Sequence, residues 1–147
     1  CFNHPPKITA FDNVDNYDGM VFEGNIQVHS MCSHHHLPFF GVAHVAYIAK
    51  PEGKIIGLSK LNRTVEFYSR RPQVQENLTM QIHDHLDDVL EVHGGIAVMV
   101  SAKHLCACLR GVKHPHSEMK TSKISGAFKD GDVSVRQEFY NFVKDLK

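Results

Sequence analysis

The sequence predicts an α+β domain with a mainly antiparallel sheet, two consecutive helices on one face of it, and a further helix at the C-terminal end. Three observations carry this reading. Apolar residues alternate with period two in several short stretches. Two adjacent segments between residues 58 and 90 switch to helical spacing. The strands come in pairs around those helices instead of alternating with them one by one. At 147 residues the chain fits one domain, long enough to bury a real core.

Residues 1–22 contain Pro5, Pro6, Asn13, Asp15, Asn16 and Gly19 and read as an extended, turn-rich lead-in. The first strand follows over Val21 to Met31, with Ile26 and Val28 pointing inward. A second covers Gly41 to Ala49, with Val42, His44, Ala46 and Ile48 on one face and Ala43, Val45 and Tyr47 on the other. Pro51 to Gly53 is a turn. Leu58, Leu61, Val65 and Tyr68 then form a helical stripe, with Ser59 in the N-cap region. Pro72 ends this helix and suits the first turn of the next. Val74, Leu78, Ile82, Leu86 and Val89 or Leu90 form the second stripe, closed by Gly94 and Gly95. Ile96, Val98 and Val100 mark a third strand, Ala107 to Val112 a fourth, and Lys120 to Ser125 a further extended piece. The last helix presents Val135, Phe139, Phe142, Val143 and Leu146 on one face, with Ser134 and Gln137 at capping-box spacing.

Composition narrows the function classes. Sixteen basic residues balance sixteen acidic ones, which argues against a dedicated nucleic-acid binder. No apolar run reaches the roughly 20 residues of a membrane span, and no signal-peptide pattern is present. A cytoplasmic location is the expectation. The chain begins at Cys1 and not Met, so a segment upstream is an open possibility. Four cysteines lie among twelve histidines, which favours metal binding over disulfides.

The segment Ser30-Met31-Cys32-Ser33-His34-His35-His36 contains a C-x-x-H pair, Cys32 and His35. His104 and Cys106 form a second pair some seventy residues later. Thiolate with imidazole suits zinc. Cys32, His35 and Cys106 as the only protein ligands would leave a fourth position for water, the pattern of a catalytic site. Water bound there ionises at a pKa of roughly 7. Two alternatives stand beside this: a closed structural site that also uses His104 or Cys108, and a histidine-rich surface that binds no metal.

Three more segments carry chemistry. Gly57-Leu58-Ser59-Lys60-Leu61-Asn62-Arg63 places Ser59, Lys60 and Arg63 on the first turn of a helix, where free N–H groups favour phosphate. The alternative is a solvated basic face. Arg71-Pro72-Gln73-Val74-Gln75-Glu76-Asn77-Leu78 offers Glu76, whose carboxylate can accept from the N1–H and amino group of guanine, or can simply sit on a helix surface. His104-Leu105-Cys106-Ala107-Cys108-Leu109-Arg110-Gly111 offers Arg110 for phosphate, while Cys108 reads as a small buried hydrophobe.

Together these segments resemble the GTP cyclohydrolase I family. That family shows Cys-Glu-His-His, then Gly-Leu-Ser-Lys, then Gln-Val-Gln-Glu-Arg-Leu, then His-x-Cys followed by Arg-Gly. Here they stand as Cys32-Ser33-His34-His35, Gly57 to Lys60, Gln73 to Leu78, and His104, Cys106 and Arg110-Gly111, and the resemblance runs from about Ile8 to the C-terminus. It implies that Cys32, His35 and Cys106 hold zinc, with iron(II) or manganese(II) as alternatives. It implies proton transfer by His34 and His104, and a serine near the ribose at Ser59. It implies triphosphate contacts from Lys60, Arg63 and Arg110, and guanine recognition by Gln75 and Glu76. The implied reaction converts GTP and water to 7,8-dihydroneopterin triphosphate and formate, by attack of zinc-bound water on guanine C8 with histidine acid–base assistance. The implied fold is the tunnelling fold, a single catalytic domain over 1–147, assembled as a decamer of two pentamers with active sites between subunits. Three departures are visible. Ser33 replaces a glutamate, Asn77 replaces an arginine, and the family's N-terminal helical segment is absent.

Overall fold

A computed structural model describes residues 10–33, 36–105 and 117–146. Its centre is a five-stranded sheet in the order β5-β2-β3-β6-β7. Strands β2 (Met20–Cys32), β3 (Pro38–Ile48), β6 (Gly95–His104) and β7 (Met119–Gly126) pair antiparallel in succession, and the short β5 (Pro72–Gln73) joins the end of β2 in parallel. A separate antiparallel pair joins β1 (Ala10–Asp12) to β4 (Lys54–Ile56). Four helices complete the described chain: α1 (Leu58–Ser69), α2 (Gln75–Leu90), α3 (Ala127–Asp130) and α4 (Val133–Asp145). This is the α+β architecture expected from the sequence, and it matches the tunnelling fold.

Alternation along β3 decides where the cores lie. Ala43, Val45 and Tyr47 face α1 and α2 and pack with Leu61, Val65, Leu78, Ile82 and Leu86. Leu78, Ile82, Leu86 and Leu90 are fully buried, each stabilising by about 1.5–3 kcal/mol relative to exposure. Ala46 and Ile48 point the other way, where Ala97, Phe128 and Phe139 form a second core. The C-terminal helices therefore cover the face opposite α1 and α2, so the helices are not confined to one face.

Several local expectations are corrected. Leu58, placed on the α1 stripe, is 66% exposed, while Leu61, Val65 and Tyr68 of the same stripe are buried. Gly57 is the N-cap of α1, so Ser59 lies inside the helix. Pro72 is in β5, not in the first turn of α2, because its neighbour Gln73 pairs with Cys32. The α2 helix stops at Leu90 with Glu91 at φ 60° as its C-cap, ahead of Gly94 and Gly95, the pair expected to close it. Gly95 instead opens β6 at φ 155°. Asp132, not Ser134, caps α4, its carboxylate accepting from Ser134 N at 2.9 Å. Phe142, set on the buried face, is 38% exposed. The strand expected over Ala107 to Val112 lies outside the described residues.

One glycine fixes how closely two strands approach. A Cβ at Gly41 would meet Ser101 O, and Ala102 Cα would lie only 2.6 Å away. Position 41 therefore holds β3 against β6 two residues from the register pair Phe39–His104.

Candidate active site

One end of the sheet gathers the candidate groups. Cys32 ends β2, is buried, and is a free thiol. Its backbone is pinned on both sides: Cys32 N donates to Leu37 O at 2.8 Å, and His36 N donates to Cys32 O at 2.9 Å. The hairpin closes through His36 at φ 55°, a left-handed conformation. Gln73 is the register partner of Cys32, and Ser33 N donates to Gln73 O at 3.3 Å. On β3, Phe39 pairs with His104, and their rings stack with centroids 4.5 Å apart and 15° between planes.

His104 is held from the side by α2. Its Nε2 lies 2.7 Å from Gln75 Oε1. The Gln75 amide nitrogen lies 3.1 Å from Val100 O, 2.9 Å from Met119 O and 3.1 Å from Thr121 Oγ1. Burial lowers the proton affinity of His104, and the nearby Glu76 carboxylate partly offsets that. Glu76 itself is exposed on the first turn of α2. Cys32, Gln75, Glu76 and His104 thus share one end of the sheet.

Ser59, Lys60 and Arg63 sit elsewhere. They open α1, whose first turn has no acidic residue and no side-chain cap. Ile56 N donates to Tyr47 Oη at 3.1 Å, which ties the start of α1 to the Tyr47 end of β3. Tyr47 is eight residues along β3 from Phe39, roughly 26 Å at the rise of a strand. A single chain therefore keeps its phosphate-type helix terminus away from His104.

His34, His35, Cys106 and Arg110 lie outside the described residues, as does Cys108. Cys32 and His104 stand at the same sheet end, and in the sequence His35 follows Cys32 by three residues and Cys106 follows His104 by two. A buried thiol there, with imidazole and a second thiolate adjacent in sequence, has the donor chemistry for zinc. The two departures in this region share a cavity of about 460 Å³: Ser33 and Asn77 line it with Arg71, Gln73 and Gln81. Replacing a glutamate and an arginine there together leaves its charge balance unchanged.

Sequence reasoning missed the inward role of Gln75 and did not mark Thr79, Thr121 or Phe39. A signal existed: Gln75, Leu78, Thr79 and Ile82 follow i, i+3, i+4 and i+7 spacing, and all four are buried.

A cavity of about 550 Å³ on the outer side of β2, lined in part by Glu23, Asn25, His29, Asn62 and Glu66, contains none of these groups. Burial pushes the Glu23 carboxyl from 4.5 up to about 7. Its Oε2 is buried with no hydrogen-bond partner among the described residues. The folded chain thus holds this proton more tightly than the unfolded chain. The resulting stability is complete below pH 4.5 and is lost as pH rises through about 7. Glu23→Gln is expected to raise stability at pH 8 by about 1–2 kcal/mol, a value discounted for solvent screening, and to change little at pH 4. Thermal melts at the two pH values check this, and equal shifts at both would refute it.

The chain matches the family model described as GTP cyclohydrolase I over residues 3–144. It is 48% identical over 139 residues to GTP cyclohydrolase 1 of Flavobacterium johnsoniae, covering 95% of this chain and 60% of that protein. It is 47% identical over 141 residues to GTP cyclohydrolase 1 of Sulfurihydrogenibium sp., covering 96% and 73%. It is 52% identical over 130 residues to GTP cyclohydrolase 1 of Chlorobium chlorochromatii, covering 88% and 56%. The chain thus spans between about half and three quarters of the length of these relatives.

Proposed function

Because the chain belongs to the GTP cyclohydrolase I family, we propose that it hydrolyses and rearranges GTP to 7,8-dihydroneopterin triphosphate with release of formate. The observation that carries this is the family match over residues 3–144, together with Cys32, Glu76 and His104 meeting at one sheet end.

Cys32, His35 and Cys106 would hold a zinc ion, which their soft donors favour over iron(II) or manganese(II). When bound, zinc supplies a Lewis acid that activates water at neutral pH. Glu76 accepts hydrogen bonds from guanine N1–H and the 2-amino group, which presents C8 and N7 to the site. His104 passes a proton to N7, making C8 a better electrophile. The C8–N9 bond opens, and a second hydrolysis releases C8 as formate. His34 and Ser59 move protons during ribose opening and rearrangement, and closure of the new ring returns one water. The balance is one water consumed per GTP.

Lys60, Arg63 and Arg110 hold the triphosphate. The distance between the start of α1 and His104 supports a site that joins two copies of the chain. Among the described residues the sheet ends at β7 on one side and at the short β5 on the other, and β5 pairs with only the last two residues of β2, so most of β2 and all of β7 offer an edge for such joining. The assembly we propose is the decamer of two pentamers. Among the described residues no helix is long and apolar enough to cross a membrane. A cytoplasmic location belongs to the same proposal.

The test is incubation of the zinc-loaded chain with GTP, followed by oxidation and measurement of pterin fluorescence. Tight GTP binding without fluorescence would replace this reading with that of a nucleotide-binding protein. Glu76→Ala is expected to lower the preference for GTP over ATP by about 10²-fold or more, since a site built to hydrogen-bond a base loses its discrimination with that contact. An unchanged preference would reject the role given to Glu76.

A further inference from the structure

The hydrogen bonds around Gln75 orient its amide. Val100 O and Met119 O face one end of it, at 3.1 and 2.9 Å. Carbonyls only accept, so that end is the NH2 group. The other end is the oxygen, 2.7 Å from His104 Nε2. An amide oxygen also only accepts, so Nε2 is the nitrogen that carries hydrogen.

Two threonine hydroxyls agree with this order. Thr79 Oγ1 donates to Gln75 O at 3.0 Å, within its own helix. It therefore accepts from Thr121 Oγ1, 2.6 Å away. Thr121 Oγ1, 3.1 Å from the Gln75 amide nitrogen, in turn shares one of that nitrogen's two hydrogens with the carbonyls. Reversing the amide would point its oxygen at two carbonyls and a committed hydroxyl. Gln75 is 1% exposed and Thr79 2%, so no solvent competes for these bonds.

We propose that Gln75 is a positioning residue and not a reader of guanine: with Thr79 and Thr121 it locks His104 as the Nε2–H tautomer and leaves Nδ1 as the nitrogen that exchanges protons with substrate. This rests on the reading of His104 as a proton-moving residue. It replaces the base-contact role that family resemblance gives to Gln75, whose amide is committed within its own chain. The Nε2–H stays on Gln75 throughout; the proton delivered to N7 leaves from Nδ1. The stack on Phe39 fixes the plane of the ring, and the Gln75 oxygen fixes its rotation within that plane.

The experiment uses the full zinc-loaded chain with ¹⁵N-labelled histidine. The His104 signals are identified by their loss in His104→Asn. The expected result is a pyrrole-type Nε2 and a pyridine-type Nδ1 in the neutral ring. Gln75→Leu is expected to give a mixture of tautomers and a kcat about 10²-fold lower, with KM for GTP within about twofold. If Gln75→Leu does not fold, Thr121→Val decides. This near-isosteric change should lower kcat about 3–10-fold and broaden the tautomer population while KM holds. A wild-type ring with hydrogen on Nδ1 overturns the proposal. So does a Gln75→Leu variant that raises KM more than about tenfold while keeping kcat, since that marks a substrate contact. So does a Thr121→Val variant with neither change. Failure of the wild-type chain to turn over GTP would overturn the proposed function instead, and the nitrogen spectra would still report the tautomer.

Discussion

Cys32→Ala is expected to leave the chain without tightly bound zinc and to cut GTP turnover by at least about 10³-fold, the loss of roughly 4 kcal/mol of transition-state stabilisation. The fold should survive. Cys32 is a small buried residue at the last position of β2, and alanine keeps the strand ladder and most of the contact surface. Cys106→Ala should behave alike if it supplies the second thiolate. His104→Ala should instead retain zinc and lose ring opening. Metal analysis of each purified variant, beside the pterin fluorescence assay, separates these outcomes. Full zinc content in Cys32→Ala would remove the coordination set on which the proposed function stands. Zinc loss in His104→Ala would favour the closed four-ligand site.

The second large effect comes from mixing variants. Lys60→Ala/Arg63→Ala should abolish turnover by weakening the grip on triphosphate, and His104→Ala should abolish it by removing the proton donor. Each chain keeps what the other lacks. The start of α1 and His104 lie at opposite ends of β3, so the proposed site takes them from different copies. Co-refolding the two variants at equal concentration should then restore about a quarter of wild-type activity, the share of sites that draw an intact half from each kind of chain. No recovery in mixed assemblies, confirmed as mixed by mass, would mean that each chain builds its site alone.

Much of the fold was legible because pattern and packing agree. The period-two faces of β3 separate the two cores residue by residue, and the α2 stripe from Leu78 to Leu90 is buried as its spacing requires. The α1 stripe fails only at Leu58, the first residue of the helix, since periodicity marks a face and not how far along the helix that face is covered. Helix ends were less legible. Glu91 takes a positive φ that glycine adopts more readily, so the usual glycine signal of a helix end is absent at that position. Which face α4 covers was not legible at all, since an apolar stripe records that it is buried and not against what. At the site, metal-type and charged residues stand out by their chemistry. Gln75 does not: a polar residue opening a helix looks like surface until its partners on β6 and β7 are known. His34, His35, Cys106 and Arg110 rest on motif spacing alone.

The bare Cα of Gly41 acts as a shim between two backbones in the middle of the sheet. A methyl group there would lever β6 away from β3, and the displacement would be felt two residues along, where an imidazole rests on a phenyl ring. The aim of the proposed proton donor is therefore set by a residue with no side chain, and the proposed site would be detuned by a change outside the residues assigned to it.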